Sequence, residues 1–144
     1  MQEGACDVQS WRDIVGITCG DWHSVGLRRD GTVLAVGNNS KGQCLVQEWR
    51  DIAAVSAGYL HTVGLRIDGR VIAVGSAVAG ACDVGEWEDV VNVDAGSNHT
   101  VAVTSAGRVL ATGDNGYGQC DVATWREIVA VAAGSTHTLS LIPI

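Results

Sequence analysis

The chain is built from short runs of alternating apolar and polar positions, and each run is closed by glycine or by a polar turn. A two-residue alternation is typical of β-strands, whose successive side chains point to opposite faces. The first runs cover residues 13–19, 23–27 and 32–36, and the run 13–19 is apolar on both faces, as in a strand that is covered on both sides. No stretch has a helical period, so the pattern predicts an all-β chain.

These runs return with a fixed period of 38 residues, as the first two tryptophans show (49 − 11 = 38). A period of this length indicates a repeat array whose units bury their apolar faces against each other. We predict a β-propeller of 38-residue, four-stranded blades, about four per chain, with residues 44–46 as the first example of the fourth strand. The expected blade repeats of this single domain, 1–144, are residues 11–48, 49–86, 87–124 and 125–144, with residues 1–10 contributing to closure.

Four motifs recur along the chain: Trp-x-x-Ile/Val, Ala-Gly-x-x-His-Thr, Asp-Gly-x-Val-x-Ala-x-Gly and Gly-Gln-Cys-x-Val. Across residues 4–144 they resemble the repeats of the regulator of chromosome condensation family in its compact bacterial form. The resemblance implies a β-propeller, typically of seven blades. Bacterial β-lactamase inhibitors of the propeller type are similar in repeat length and in the Gly-x-x-His and Asp-Gly-x-Val segments. Propellers host many unrelated tasks, so the resemblance supports the fold more strongly than the function.

The repeat count predicts an incomplete ring. The segment equivalent to residues 31–38 occurs three times, whereas the tryptophan and histidine segments occur four times. Because uncovered sheet faces and edges favour association, we expect a homodimer. In it, two chains meet head to tail at two places and complete a ring of about eight blades. A closed four-bladed monomer and a piece of a longer propeller are the alternatives.

Composition and charge exclude several classes of partner. The net charge is −7 and the nine basic residues are scattered, so no phosphate-binding surface and no nucleic-acid partner are expected. No apolar run approaches the length of a membrane span, and the N-terminal residues do not resemble a signal peptide. We therefore expect no membrane partner and a cytoplasmic location, where the five cysteines would stay reduced.

The repeated polar residues predict structure rather than catalysis. Each histidine is expected to bond a nearby backbone group, since an active site needs one constellation and not four. The equivalent cysteines lack the paired spacing of a zinc site, and Ser24 and its neighbour His23 point to opposite faces of a strand. We expect no enzyme activity, no metal and no cofactor. The equivalent positions are His23, His61, His99 and His137, and Cys6, Cys44, Cys82 and Cys120.

The two middle positions of each Gly-x-x-His turn vary while the scaffold stays constant. Variation displayed on a rigid repeat frame is typical of a binding face, and exposed aromatic residues often anchor protein interfaces. We predict that these turns lie on one rim and bind a protein partner, with Trp22 and Tyr59 at the centre. A weaker candidate set comprises residues 38–41, 76–79 and 114–117. The predicted partner-binding residues are Asp21, Trp22, Tyr59, Leu60, Ser97, Asn98, Ser135 and Thr136.

Three functions are consistent with this sequence. The favoured one is a non-enzymatic scaffold for protein–protein interaction, a half-propeller that self-associates to close the ring. The second is a β-lactamase-inhibitor-like binding protein, which the resemblance implies. The third is a fragment or an engineered repeat whose only activity is self-assembly.

Overall fold

The computed structural model describes residue 4, residues 6–77 and residues 80–143. Within these residues the chain forms eleven strands, and the all-β prediction is confirmed. The strands are β1 Ile14–Cys19, β2 His23–Arg28, β3 Val33–Gly37, β4 Ile52–Ala57, β5 His61–Arg66, β6 Val71–Gly75, β7 Val90–Ala95, β8 His99–Thr104, β9 Val109–Gly113, β10 Ala130–Ala133 and β11 Thr138–Leu141.

Consecutive strands pair antiparallel, so that each repeat forms one sheet. Three sheets have three strands, in the orders β1-β2-β3, β4-β5-β6 and β7-β8-β9, and the described part of the fourth repeat pairs β10 with β11. The register is the same in each copy: Cys19 pairs with Ser24 in the first sheet, and Ala57 pairs with Thr62 in the second. The 38-residue period of the sequence is therefore the step from one sheet to the next.

The prediction of a fourth strand in each blade is wrong for the described residues. Instead of pairing with β3, residues 42–46 form tight turns in which the Leu45 and Val46 amides donate to the carbonyls of Gly42 and Cys44. The Cys44 amide donates to Asn39 Oδ1 at 2.8 Å. Because local acceptors satisfy these amides, they are not available as donors to a fourth strand.

The strands predicted at the start of the repeats, which we call the inner strands, also begin too early. The residue before each of them has a left-handed backbone, with φ of 58° at both Asp13 and Asp51 and 55° at Asp89. Aspartate tolerates this conformation, which no strand residue adopts, so β1, β4 and β7 begin one residue later. In the fourth repeat the predicted strand 127–133 is shortened to Ala130–Ala133.

The hydrophobic core lies between successive sheets. Val25 and Leu27 of β2 pack with Trp49, Ile52 and other apolar residues of the next repeat. The same arrangement recurs between the second and third sheets and between the third and fourth. The tryptophan that opens each repeat is expected from the sequence to fill the seam between consecutive blades. The structure confirms this for Trp49, Trp87 and Trp125, since each packs in or against one of these clusters. Each sheet is stable only because its neighbour covers it.

The inner strands β1, β4, β7 and β10 lie side by side in chain order. Polar side chains on these strands hold the backbone of the next repeat. Thr18 Oγ1 accepts from the Ala57 amide at 3.2 Å, and Ser56 Oγ accepts from the Ala95 amide at 3.0 Å. Asp94 carries the series onward, because its Oδ2 accepts from the Ala133 amide at 2.7 Å. These bonds fix the position of each sheet at the hub, which is the part of the fold formed by the four inner strands.

Candidate partner-binding surface

Each Gly-x-x-His turn joins an inner strand to the middle strand of its sheet and is held on two sides. In the first turn the Gly20 amide donates to the His23 carbonyl at 2.9 Å, which closes the turn on itself. The Asn38 amide donates to the Trp22 carbonyl at 2.8 Å, which ties the turn to the end of β3. The same closure recurs in the other three copies, and the tie to the third strand recurs in the second and third copies. The middle residues of these turns are therefore presented by a fixed backbone.

The turns also need glycine at their first position. A Cβ atom on Gly58 would overlap the carbonyl oxygen of Gly96 in the next repeat and would lie 2.7 Å from Nδ1 of His61. Real Cβ atoms do not approach this closely, so any larger residue would displace either the next repeat or the histidine ring. The glycine is required for close approach between turns of adjacent blades.

The first middle positions of all four turns converge. Together with the neighbouring glycines and alanines of the inner strands, they line one groove of about 340 Å³ at the hub, which we call the rim groove. The side chains of Ser97 and Ser135 are in contact there, with their Oγ atoms 3.0 Å apart. Because the inner strands lie side by side in chain order, the turn of Tyr59 lies between the turns of Asp21 and Ser97. The four residues that meet at the rim groove are Asp21, Tyr59, Ser97 and Ser135.

The second middle positions do not line the rim groove. Trp22 has 44% of its surface exposed, compared with 37% for Tyr59, and both are available for contact. Thr136 lies in a separate depression beside Tyr117. The structure therefore divides the eight predicted residues into a convergent set and a peripheral set. The peripheral set comprises the exposed Trp22 and Thr136 and the half-buried Leu60 and Asn98.

The rim groove is acidic and polar. Asp21 is its ionisable acid, and no lysine or arginine is among the described residues that line it. Below it on the hub, the Asp94 carboxylate accepts from the Ser56 hydroxyl at 2.8 Å as well as from the backbone. The glycines and alanines of the lining keep the groove open between the exposed side chains. This surface can accept hydrogen bonds and positive charge from a partner.

Three of the histidines form side-chain bridges between sheets, which the expected bond to a nearby backbone group did not include. His23 Nε2 lies 2.7 Å from Thr62 Oγ1 of the next repeat, and the Thr62 hydroxyl donates to the Gln43 carbonyl at 2.7 Å. Because that hydroxyl proton is committed to the carbonyl, the histidine must be the donor, protonated at Nε2. The pattern recurs from His61 to Thr100 and from His99 to Thr138.

Burial makes these rings poor proton acceptors. Burial, together with the positive charge of the neighbouring His23 and His99 when they are protonated, lowers the pKa of His61 to about 4. Burial also lowers the pKa of His23 and of His99. A neutral ring that is locked in a hydrogen bond across a seam serves structure rather than acid–base chemistry.

The weaker candidate loops are organised around their own cysteines. The Cys44 thiol donates to the Asn38 carbonyl at 3.4 Å, and Cys120 bonds the Asp114 carbonyl in the same way at 3.3 Å. Burial raises the pKa of both thiols and of the equivalent Cys82, which makes them weak nucleophiles. Residues 78–79 of the predicted set 76–79 lie outside the described residues.

Two further features of the described residues bear on other kinds of function. Among residues 4, 6–77 and 80–143 there is no group of three or more His, Cys, Asp or Glu side chains that could hold a metal ion. The same residues contain no helix that is long and apolar enough to cross a bilayer.

Sequence reasoning missed the polar residues that connect the hub strands. Thr18, Ser56 and Asp94 stand at equivalent positions inside runs that otherwise read as apolar. The available signal was a hydrogen-bonding side chain just before the small residue that ends each run. These side chains support the rim groove from below.

Sheets packed face to face around a hub, with one recurrent turn per sheet on a common rim, define a repeat protein of the β-propeller class. The family model for the regulator of chromosome condensation (RCC1) repeat matches residues 14–43, 52–80 and 90–119. The chain belongs to this RCC1 repeat family. No curated protein sequence matches it significantly.

Solved structures support the same fold. The chain is similar to yeast RCC1 (Prp20) in its complex with Kap60, with a TM-score of 0.73 and 19% identity over 90% of this chain and 41% of that one. It is similar to the ectodomain of the Physcomitrella patens receptor kinase CR4 (TM-score 0.74, 25% identity, 90% and 38% covered). Human WBSCR16 is also similar (TM-score 0.74, 21% identity, 90% and 44% covered). The chain therefore spans about two fifths of the length of these propellers.

Proposed function

We propose that this chain is a non-enzymatic scaffold for protein–protein interaction that binds its partner through the Gly-x-x-His rim. The observation that carries the proposal is the convergence of four variable turn positions on one groove, each held by backbone hydrogen bonds. A partner that docks on fixed turns loses little conformational entropy from the scaffold side. The similarity to Prp20, which binds Kap60, is consistent with this class of function.

Tyr59, which lines the rim groove, and Trp22, which follows Asp21 in the first turn, are the proposed aromatic anchors. Both are exposed, and large aromatic residues contribute most when they become buried near the centre of an interface. Asp21 and the paired hydroxyls of Ser97 and Ser135 would supply polar contacts at the groove. The acidic groove favours a partner that presents a basic or hydrogen-bond-donating segment.

The test is a comparison of captured proteins. The double variant Trp22→Ala/Tyr59→Ala should lose the partners that the wild-type chain retains, with an unchanged circular dichroism spectrum. Tyr117→Ala is the control, because Tyr117 is an aromatic residue on a different loop and is even more exposed than Trp22 and Tyr59. Capture that persists in the double variant, or that is lost in the control instead, would refute the assigned face.

The scaffold is further proposed to act as a half-propeller that self-associates. Ile17 on the first sheet is 75% exposed, whereas Val93 at the equivalent place is 9% exposed. At the other end, Leu139 is 61% exposed and the equivalent Val101 is fully buried. Covering such apolar surface is favourable, and a second copy would do so. Light scattering at micromolar concentration should give the mass of two chains, and a monomeric mass would refute self-association.

A further inference from the structure

Two apolar faces of the chain are uncovered, and they are different faces. The entry face lies on the first sheet and comprises Val8, Trp11, Ile17 and Cys19 beside an apolar groove of about 250 Å³. The exit face lies on the last sheet and comprises His137, just before β11, and Leu139 and Leu141 of β11, all exposed. The equivalent residues one period away are buried or half-buried inside the chain.

The counterparts show what each face fits. Val101 and Val103, which are equivalent to Leu139 and Leu141, pack in one cluster with Val131 of the following sheet. Val131 is equivalent to Ile17 of the entry face (131 − 17 = 114, three periods of 38). Inside the chain, then, a surface of the exit type is always covered by a surface of the entry type, and this pairing occurs at all three seams.

The polar contact at each internal seam joins two residues, and the equivalents of both lie on the uncovered faces. Internally, a histidine ring meets the threonine hydroxyl 39 positions later, as in His99 with Thr138 at 3.0 Å. His137 is the unburied histidine of the exit face, and Ser24 stands at the position of these threonines in the first sheet. Ser24 carries the same hydroxyl chemistry and lies beside the entry groove, 3.7 Å from the Cys19 thiol.

We propose that the exit face of one copy docks into the entry groove of a second copy as a fourth example of the internal seam, with His137 Nε2 donating to Ser24 Oγ across the joint. This inference rests on the proposed self-association and specifies its geometry: the contact is head to tail, not between like faces. Leu139 and Leu141 occupy the apolar groove beside Ile17. Two such joints close a ring of two chains.

One hydrogen bond of the internal seams is missing from this joint. The acceptors Thr18, Ser56 and Asp94 on the hub have Ala132 as their counterpart in the last repeat, and alanine cannot accept from the next backbone amide. The joint is therefore weaker on the hub side than the internal seams. Its specificity depends on the leucines and on the histidine–serine bond.

Complementation of two variants tests the head-to-tail geometry. Ile17→Asp disrupts every entry face and Leu139→Asp disrupts every exit face, so each variant alone should be monomeric by light scattering. An equimolar mixture should form heterodimers, because one intact exit face and one intact entry face remain. A contact between like faces would be lost in only one variant and would not be restored by mixing. That result, with a dimeric wild-type chain, would overturn the joint but not self-association.

The polar bond is tested separately. Ser24→Ala should raise the dissociation constant of the wild-type dimer roughly 10- to 30-fold, because the bond occurs twice in the ring. Ser24→Thr, which introduces the residue found at the internal seams, should retain wild-type affinity or improve it. Equal affinities for the alanine and threonine variants would show that Ser24 makes no hydrogen bond at the joint. A wild-type monomer would overturn the joint together with self-association, and would leave the rim proposal to its own test.

Discussion

Mild acid should destabilise this protein through its buried histidines. The ring of His61 is inside the seam between the second and third sheets, where its Nε2 bonds Thr100 at 3.0 Å. Burial and the neighbouring His23 and His99 lower its pKa from the ordinary 6.5 to about 4. Between these two pH values the His61 ring is protonated in the unfolded chain and neutral in the folded chain. The contribution of His61 to stability is therefore complete above about pH 6.5, decreases as the pH falls from about 6.5 to about 4, and changes no further below that.

The size of the effect follows from the pKa difference. For His61 alone, the two pKa values give a loss of about 2 kcal/mol at pH 5, with a limit of about 3 kcal/mol below pH 4. The carboxylates act in a different range. Hydrogen bonds from Thr32 lower the pKa of Asp30 from 3.8, so protonation of that group reduces stability only at more acidic pH. A loss of stability between pH 7 and pH 5 is thus assigned to histidine.

Urea unfolding followed by tryptophan fluorescence measures this loss at pH 7 and at pH 5. The protein concentration is held fixed, because association would shift the apparent stability. His61→Gln is the diagnostic variant, since its side-chain amide can still donate to Thr100 but does not titrate. We expect the difference between the two pH values to be smaller in this variant by about 2 kcal/mol. The same pH dependence in both proteins would refute the assignment to His61.

Two further predictions concern close packing. Gly58→Ala should lower the free energy of unfolding by about 1–3 kcal/mol, because the new methyl group overlaps the Gly96 carbonyl. Gly85→Ala is the control: a Cβ atom there has no neighbouring atom within 4 Å, so the free energy of unfolding should change by less than about 0.5 kcal/mol. Equal melting temperatures for the two variants would contradict the tight approach of the turns. Val63→Ala should cost about 2 kcal/mol because Val63 is fully buried in a seam, and Val91→Ala, at an exposed position on the next repeat, should be nearly neutral in the same denaturation assay.

The fixed period was enough to predict three strands in each complete repeat and the seams between repeats. The side chains at 25, 63 and 101 are all valine, and each is fully buried in the structure. In a repeat array, the contact between two units is copied wherever the same residues return at the same spacing. For this reason the sequence alone also placed Trp49 at a seam and assigned the histidines to structure rather than catalysis.

The tertiary structure decided which atoms meet across a seam and where each turn residue points. Alternation along a strand gives the face of a residue, but it does not show that His23 reaches Thr62 of the next sheet. Nor does it separate Tyr59, which faces the hub, from Trp22, because a tight turn has no simple side-chain period. The fourth strand was predicted wrongly because a linear pattern does not show which side chains accept from the backbone. Asn39 Oδ1 accepts from the Cys44 amide, which the pattern assigns to a strand pair.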